Sequence, residues 1–376
     1  MKKVLFFIES LAGGGAEKVL SDIVCNLDKE KFDVTVYTVT DEGVYQDRVS
    51  QNCEYRSFLH ERNYKAGGLR KVFFWLGIKW IYSLPPSLIY RLFIHGKYDT
   101  EIAFVEGFAT KLIAASNNLN SKKLAWVHID MCNNAYADSC FKNHAEHTAV
   151  YHKYDRILCV SESVRTAFAG KFFDSDCLQV QYNPVDEKAI VNMSKEEICL
   201  PTDIRPRLVS VGRLEHQKGY LRLLESAKQV RDEGHSFSIL IVGEGSERAK
   251  LEEKIREYRL EDTVQLLGFQ KNPYKYVAKC DGFICSSYAE GFSTAATESL
   301  ILGKPIFTVD CAGMGELFGS EKCGIIVEND DQVLVQLLRE IASGEVRLEE
   351  YTSAVNRRSS DFKIETRIQE IQNLLD

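Results

Sequence analysis

Short apolar, β-branched runs alternate along the chain with longer segments whose apolar positions recur every three or four residues. VLFFIE, DVTVYTV, TEIAFV, KLAWVH and RILCVS read as strands in the first half. RLVSVGR, SILIVG, TVQLLG, GFICSS, PIFTV and GIIVE read as strands in the second. The alternation of strands with helical segments is the pattern of parallel βαβ units. The predicted class is therefore α/β, with two Rossmann-like, doubly wound halves. Between Asn183 and Arg207 the text changes, with Asn183-Pro184, Pro201 and Pro206 framing a polar stretch that contains SKEE. This predicts an N-terminal domain over 1–183, a linker over 184–206, a C-terminal domain over 207–358 and a helical tail over 359–376 with the first domain as its candidate partner.

Length agrees with that division, since 376 residues exceed what one hydrophobic core organises. A formal charge of -7 disfavours nucleic-acid binding through general electrostatics. Eleven cysteines include no CxxC pair, and Glu9 interrupts the first apolar run before it reaches signal-peptide length. A reducing cytoplasm is the expected compartment. No run reaches the roughly 18 apolar residues of a membrane-spanning helix.

In doubly wound sheets, ligands bind beyond the carboxyl ends of the strands. VGRLEHQKG, Val211 to Gly219, puts Gly212, Arg213 and Lys218 at such a strand end, before a helix. Two cations and free backbone N–H groups suit a diphosphate, although the same run serves equally as a solvated basic turn. SSYAEGFSTAATESLILGKP, Ser286 to Pro305, repeats the arrangement. Gly291 permits close backbone approach, and Ser293 and Thr294 fall at a helix N-terminus that offers donors to phosphate. Glu290 and Glu298 bracket this turn, and each carboxylate can accept hydrogen bonds from a diol. In the first half, Gly13, Gly14 and Gly15 form a loop before a helix from Ala16, able to fold under a phosphate or sugar or simply to flex. His128 follows the strand KLAWV, with Asp130 close by.

These segments resemble the donor site of retaining glycosyltransferases of family GT4, which have the GT-B fold, two Rossmann-like domains facing a central cleft. The resemblance runs over nearly the whole chain. It rests on the E-x7-E pair Glu290 and Glu298, on GRL-x2-QKG, and on GFQKNPYKY, Gly268 to Tyr276. It implies that Arg213 and Lys218 contact the donor pyrophosphate, Glu290 the transferred sugar and Glu298 the ribose. It also implies that the backbone of Gly291, Phe292 and Ser293 holds phosphate and sugar, with Gly212 and Thr294 on the donor side and Gly243 and Glu244 bordering base and ribose. On the acceptor side it places the Gly13 to Gly15 loop, His128 and Asp130. Catalytic parts fall to Arg213, Lys218, Glu290 and His128. The co-substrate is a nucleotide sugar, UDP-sugar expected over GDP-sugar, with no metal and no other cofactor.

Two other patterns compete. LIVGEGSERAK has Gly243 and Gly245 after a strand, but Arg248 replaces the third glycine of a dinucleotide fingerprint. Cys132, Cys140, His144, His147 and His152 suggest zinc, yet their spacing fits no ligand pattern.

From Arg62 to Tyr98 there is no Asp or Glu, while Arg62, Lys65, Arg70, Lys71, Lys79, Arg91 and Lys97 interleave with Phe73, Phe74, Trp75, Trp80, Tyr82, Tyr90 and Phe93. Cations with interfacial rings suit an anionic bilayer surface. Apolar residues run nearly all round the Leu69 to Tyr82 wheel, so burial against the first sheet is the competing placement. The membrane placement implies a lipid-linked acceptor and a protein peripherally bound to the inner face of the cytoplasmic membrane. The expected function is transfer of a hexose from a nucleotide diphosphate sugar to a polyprenyl-linked glycan in bacterial surface polysaccharide synthesis. The alternatives are a soluble acceptor, or a catalytically silent glycan-binding protein or scaffold.

Overall fold

A computed structural model describes residues 1–41, 43–60 and 68–376, with the Leu69 side chain left out. The chain divides into two compact units, Met1–Pro184 with Glu365–Asp376, and Val185–Ile364. The first contains β1 (Lys2–Phe7), β2 (Phe32–Thr40), β3 (Glu54–Leu59), β4 (Thr100–Ala103), β5 (Lys122–Val127), β6 (Arg156–Cys159) and β7 (Leu178–Val180). They form one parallel sheet in the order β3-β2-β1-β4-β5-β6-β7. The second contains β8 (Arg207–Val211), β9 (Ser238–Val242), β10 (Val264–Leu266), β11 (Gly282–Cys285), β12 (Ile306–Val309) and β13 (Gly324–Val327), parallel in the order β10-β9-β8-β11-β12-β13.

Central strands are buried on both faces, as parallel sheets covered by helices require. Val4, Leu5, Phe6 and Phe7 are fully inaccessible, as are Ile239, Leu240 and Ile241. β3 and β7 fall outside the predicted set. β3, EYRSFL, is a half-polar edge strand, and β7 has three residues, so neither produces a continuous apolar run.

The predicted linker is only partly a linker. A helix, Glu187–Met193, begins under an Asp186 cap, and Ile190 packs with Val185 against Tyr274 within the second unit. The prolines mark the turns around this helix rather than an unpacked connection. The tail helix spans Ile364–Leu375, beginning five residues later than the sequence pattern suggests because Ser359 closes the preceding helix, Thr352–Ser359. Within the first unit, Gln372 Oε1 accepts the Asp28 N–H at 3.0 Å, Lys122 Nζ donates to the Leu374 carbonyl at 2.7 Å, and Ile368, Ile371 and Leu375 are buried.

The helix Gly68–Ser83 lies against Leu59 at the end of β3, where Gly77 leaves room. Phe74 and Ile81 are buried, two turns apart on one face. Phe73 is 68% and Trp80 66% exposed, and Val72, Trp75, Leu76 and Tyr82 are also exposed. The next helix, Pro86–Phe93, adds exposed Leu88 and Leu92. Arg62 and Lys65 lie outside the described residues. Among those described, no helix is long and apolar enough to cross a membrane.

Candidate functional site

Where strand order reverses in a doubly wound sheet, the loops leaving the two strands diverge and open a crevice at their carboxyl ends. The reversal falls between β8 and β11 in the second unit and between β1 and β4 in the first.

In the second unit, β8 is followed by Gly212 and leads through a 3-10 turn, His216–Lys218, to the helix Tyr220–Asp232. Gly219 joins turn to helix at φ 64°, where an added Cβ would stand 2.0 Å from the Ser286 carbonyl oxygen. The loop after β11 can therefore lie directly on this turn. Tyr288 N–H donates to the Gln217 carbonyl at 2.8 Å, Gln217 Nε2 to the Ala289 carbonyl at 2.8 Å, and Ser286 Oγ to the Lys218 carbonyl at 3.0 Å.

The interlock brings Lys218 Nζ to 2.7 Å from Glu290 Oε1, which also accepts from Ser287 Oγ at 2.5 Å. Burial works against the Lys218 charge, but the Glu290 carboxylate outweighs it and the amine pKa lies above the usual lysine value. Lys218 is thus fixed as a cation beside a buried carboxylate. Ser293 caps the helix Thr294–Ile301, its Oγ accepting the Ala296 N–H at 3.3 Å. Phe292 and Ser293 are buried, while Thr294, the first helical residue, is half-buried. Gly291 approaches so closely that a Cβ at Gly313 would stand 2.4 Å from its carbonyl oxygen. Glu298, the fifth helical residue, is buried and accepts from Tyr274 Oη at 3.1 Å.

Gly243, after β9, has φ 154°, and a Cβ there would meet the Gly212 carbonyl oxygen at 1.8 Å. The ends of β8 and β9 thus meet backbone to backbone. Arg213 and Glu244 stand farther out. Both are exposed, and Glu244 pairs with Arg248. The structure therefore joins Lys218 directly to Glu290, sets Glu298 behind the same helix start, and leaves Arg213 and Glu244 at the rim of the second unit. Sequence reasoning passed over Ser287 and over Tyr274 as a partner of Glu298. Tyr274 sits inside the GFQKNPYKY run, but a tyrosine there gives no sign of which carboxylate it meets.

In the first unit, Gly13 has φ 124° and Gly14 precedes the helix Gly15–Asn26. The Glu17 carboxylate occupies the space a Cβ on Gly14 would need. His128 follows β5, its backbone N–H donating to the Glu106 carboxylate. Glu106, 1% exposed, also accepts the Ile129 N–H at 3.0 Å and Tyr136 Oη at 3.1 Å. Burial raises its pKa despite these donors. His128 Nε2 is buried, with no hydrogen-bond partner among the described residues, and burial lowers the ring pKa to about 4. The imidazole is therefore neutral at physiological pH. Asp130 is committed to its own turn, accepting the Cys132 and Asn133 N–H groups at 2.9 and 3.1 Å. After β1, Glu9 accepts from Tyr82 Oη at the end of the exposed aromatic helix, and burial raises its pKa. Glu9, Glu106 and Tyr136 went unassigned in the sequence, and Tyr82 was placed only among the interfacial rings, because only the fold assembles them.

His147 stacks on Phe141 at 3.7 Å and its Nδ1 lies 3.1 Å from Asp138. Among the described residues no group of three or more His, Cys, Asp or Glu is arranged around a metal position.

The chain matches the family described as glycosyl transferases group 1 over residues 200–358 and that described as glycosyltransferase family 4 over residues 13–189. It is 29% identical, over 88% of its length and 87% of the relative's, to the N-acetylgalactosamine-N,N'-diacetylbacillosaminyl-diphospho-undecaprenol 4-alpha-N-acetylgalactosaminyltransferase of Campylobacter jejuni. It is 24% identical, over 92% of its length and 91% of the relative's, to the lipopolysaccharide 1,6-galactosyltransferase of Escherichia coli. The fold is similar to that of Anabaena Alr3699/HepE, solved in complex with UDP and glucose, at a TM-score of 0.76 and 18% identity, covering 100% of this chain and 99% of that one. With two parallel doubly wound units and an E-x7-E pair at the second switch point, the chain belongs to glycosyltransferase family 4 and is a hexosyltransferase of the GT-B fold.

Proposed function

We propose that the enzyme transfers a hexose from a UDP-sugar to a lipid-linked glycan, with retention of anomeric configuration, at an anionic membrane surface. The observation that carries this reading is the exposed aromatic face of Gly68–Ser83, continued by exposed Leu88 and Leu92 of Pro86–Phe93, where Tyr90 is buried, and edged by exposed Arg70, Lys71, Lys79 and Arg91. Such a face suits phospholipid headgroups and their interface with the acyl chains. The Campylobacter relative, whose name specifies a diphospho-undecaprenol acceptor, supports a polyprenyl-linked substrate. Anabaena Alr3699/HepE with UDP supports a uridine donor.

In this reading Arg213 and Lys218 hold the diphosphate, Glu290 the transferred hexose and Glu298 the ribose. The Gly291 to Ser293 backbone and Thr294, at the helix start, meet phosphate and sugar, while Gly212, Gly243 and Glu244 border the nucleoside. As the bond between the anomeric carbon and the diphosphate oxygen breaks, the acceptor oxygen bonds to the same face of that carbon. The acceptor proton passes to the departing diphosphate, whose charge the two cations stabilise. No metal is required. Gly13, Gly14 and Gly15 at the start of their helix, neutral His128 and Asp130 lie on the acceptor side, with His128 a hydrogen-bonding group rather than a cation.

The test is a thermal-shift panel of UDP, GDP, ADP and their hexose conjugates, followed by transfer assays with the donor that stabilises most. Stabilisation by UDP and UDP-hexoses, and transfer to polyprenyl-diphosphate-linked glycans in preference to the free glycans, are expected. Equal transfer to free glycans would point to a soluble acceptor, and GDP preference would overturn the uridine assignment.

A further inference from the structure

We propose that Arg222 is a positioning residue for sugar transfer, fixing the loop that presents Glu290. The inference rests on the reading that Glu290 holds the transferred hexose.

Arg222 lies in the first turn of the helix Tyr220–Asp232, followed by fully buried Leu223 and Leu224, and is itself 2% exposed. A buried guanidinium is expensive, and an apolar side chain there would generally serve stability as well or better. Its hydrogen bonds show where the charge is directed. Nε donates to the Ser286 carbonyl at 2.7 Å and Nη2 to the Ser287 carbonyl at 2.8 Å. Nη1 donates to Asn329 Oδ1 at 2.8 Å and lies 3.4 Å from an Asp331 carboxylate oxygen. The guanidinium also lies 4.1 Å from the Tyr288 ring centroid. One planar fork thus engages three successive residues, Ser286 to Tyr288, in the stretch between β11 and the helix Thr294–Ile301. Only arginine has the donor geometry to do this.

Ser287 connects the clamp to the site. Its carbonyl accepts from Arg222 while its hydroxyl donates to Glu290. Asn329, after β13, reaches the same loop from another side, its Nδ2 donating to the Asp310 carbonyl at 3.1 Å and reaching the Ser287 and Tyr288 carbonyls at 3.4 Å. Loss of Arg222 would leave the Ser286 carbonyl without its guanidinium donor and the Ser287 carbonyl with only the Cys311 thiol at 3.0 Å and Asn329 at 3.4 Å, loosening Ser287, so Glu290 would lose a defined position while Glu298 and Tyr274 stay in place.

The experiment compares UDP with UDP-glucose as probes in the parent, Arg222→Lys, Arg222→Met and Asn329→Ala, measuring binding by calorimetry, UDP-glucose turnover and melting temperature. In Arg222→Met, UDP-glucose affinity should fall about tenfold and turnover more, while UDP affinity changes by no more than about threefold. Arg222→Lys should fall between the two, since lysine keeps the charge but not the fork. Should Arg222→Met fail to fold, Asn329→Ala carries the test, with the same selective loss expected. A lower melting temperature with the UDP-glucose to UDP affinity ratio unchanged would reduce Arg222 to a stabilising residue and overturn the proposal. A parent that binds UDP-glucose no better than UDP would instead remove the reading of Glu290, and the proposal with it.

Discussion

Lys218 and Glu290 neutralise each other within the second unit, an arrangement with a kinetic consequence. In the proposed reading a hexose hydroxyl donates to the carboxylate while the ammonium turns to phosphate, so the pair would hold a cation ready for the leaving group. Glu290→Gln keeps the shape but removes the charge. Turnover should fall by about 100-fold or more, with UDP affinity changed by less than about threefold, as steady-state kinetics and calorimetry would show. His128 supports a different prediction. Its folded pKa of about 4 lies below the ordinary 6.5, so the unfolded state takes up the proton first as pH falls. Its contribution to stability is complete above pH 6.5 and is lost between 6.5 and about 4, on the order of 3 kcal/mol. His128→Gln should flatten that part of the stability profile in urea titrations, whereas an equal slope in the variant would refute the neutral ring with its buried Nε2. At this scale the sequence disclosed residue types at strand ends but not their partners. Glu106 in VEGFAT looks like any surface acid until the fold brings the His128 and Ile129 amides to it.

Among the elements, the six strands of the second sheet were legible because each is a compact apolar run, whereas edge strands β3 and β7 bury too little to leave that signature. The helix Glu187–Met193 was hidden by the prolines and charges around it. The turn between β8 and its helix tolerates only glycine at position 219. Gly219→Ala combines a left-handed backbone with a carbonyl contact at 2.0 Å and should cost at least about 2 kcal/mol, with loss of transfer, measurable by chemical denaturation. The aromatic helix Gly68–Ser83 makes its own prediction. Lys71→Glu with Lys79→Glu should weaken sedimentation with anionic liposomes at least about tenfold, and salt should weaken the parent similarly. Phe73→Ser with Trp80→Ser should reduce binding to both neutral and anionic vesicles. Parent binding that ignores salt and all four substitutions would dismiss this face as the membrane contact.

At the scale of the molecule, each unit has its own sheet and core, and the residues proposed to hold the donor all lie in Val185–Ile364. UDP should therefore protect amides of that unit from hydrogen exchange more than those of Met1–Pro184. Ending the chain after Ile364 removes the partners of the Asp28 N–H and Lys122. Calorimetry should then show the first unit melting at lower temperature, with UDP binding retained.

That returning tail also sets a schedule for biogenesis. Residues 1–184 leave the ribosome while the segment that completes their core is still 180 residues from being made. At roughly 5–20 residues per second this is an interval of about 9–36 s. Throughout it, the surface destined for Ile368, Ile371 and Leu375 stays open to water and to chaperones, while the second unit, contiguous in sequence, needs no such late segment. The first unit of the nascent protein thus stays incomplete while the whole of the second is made.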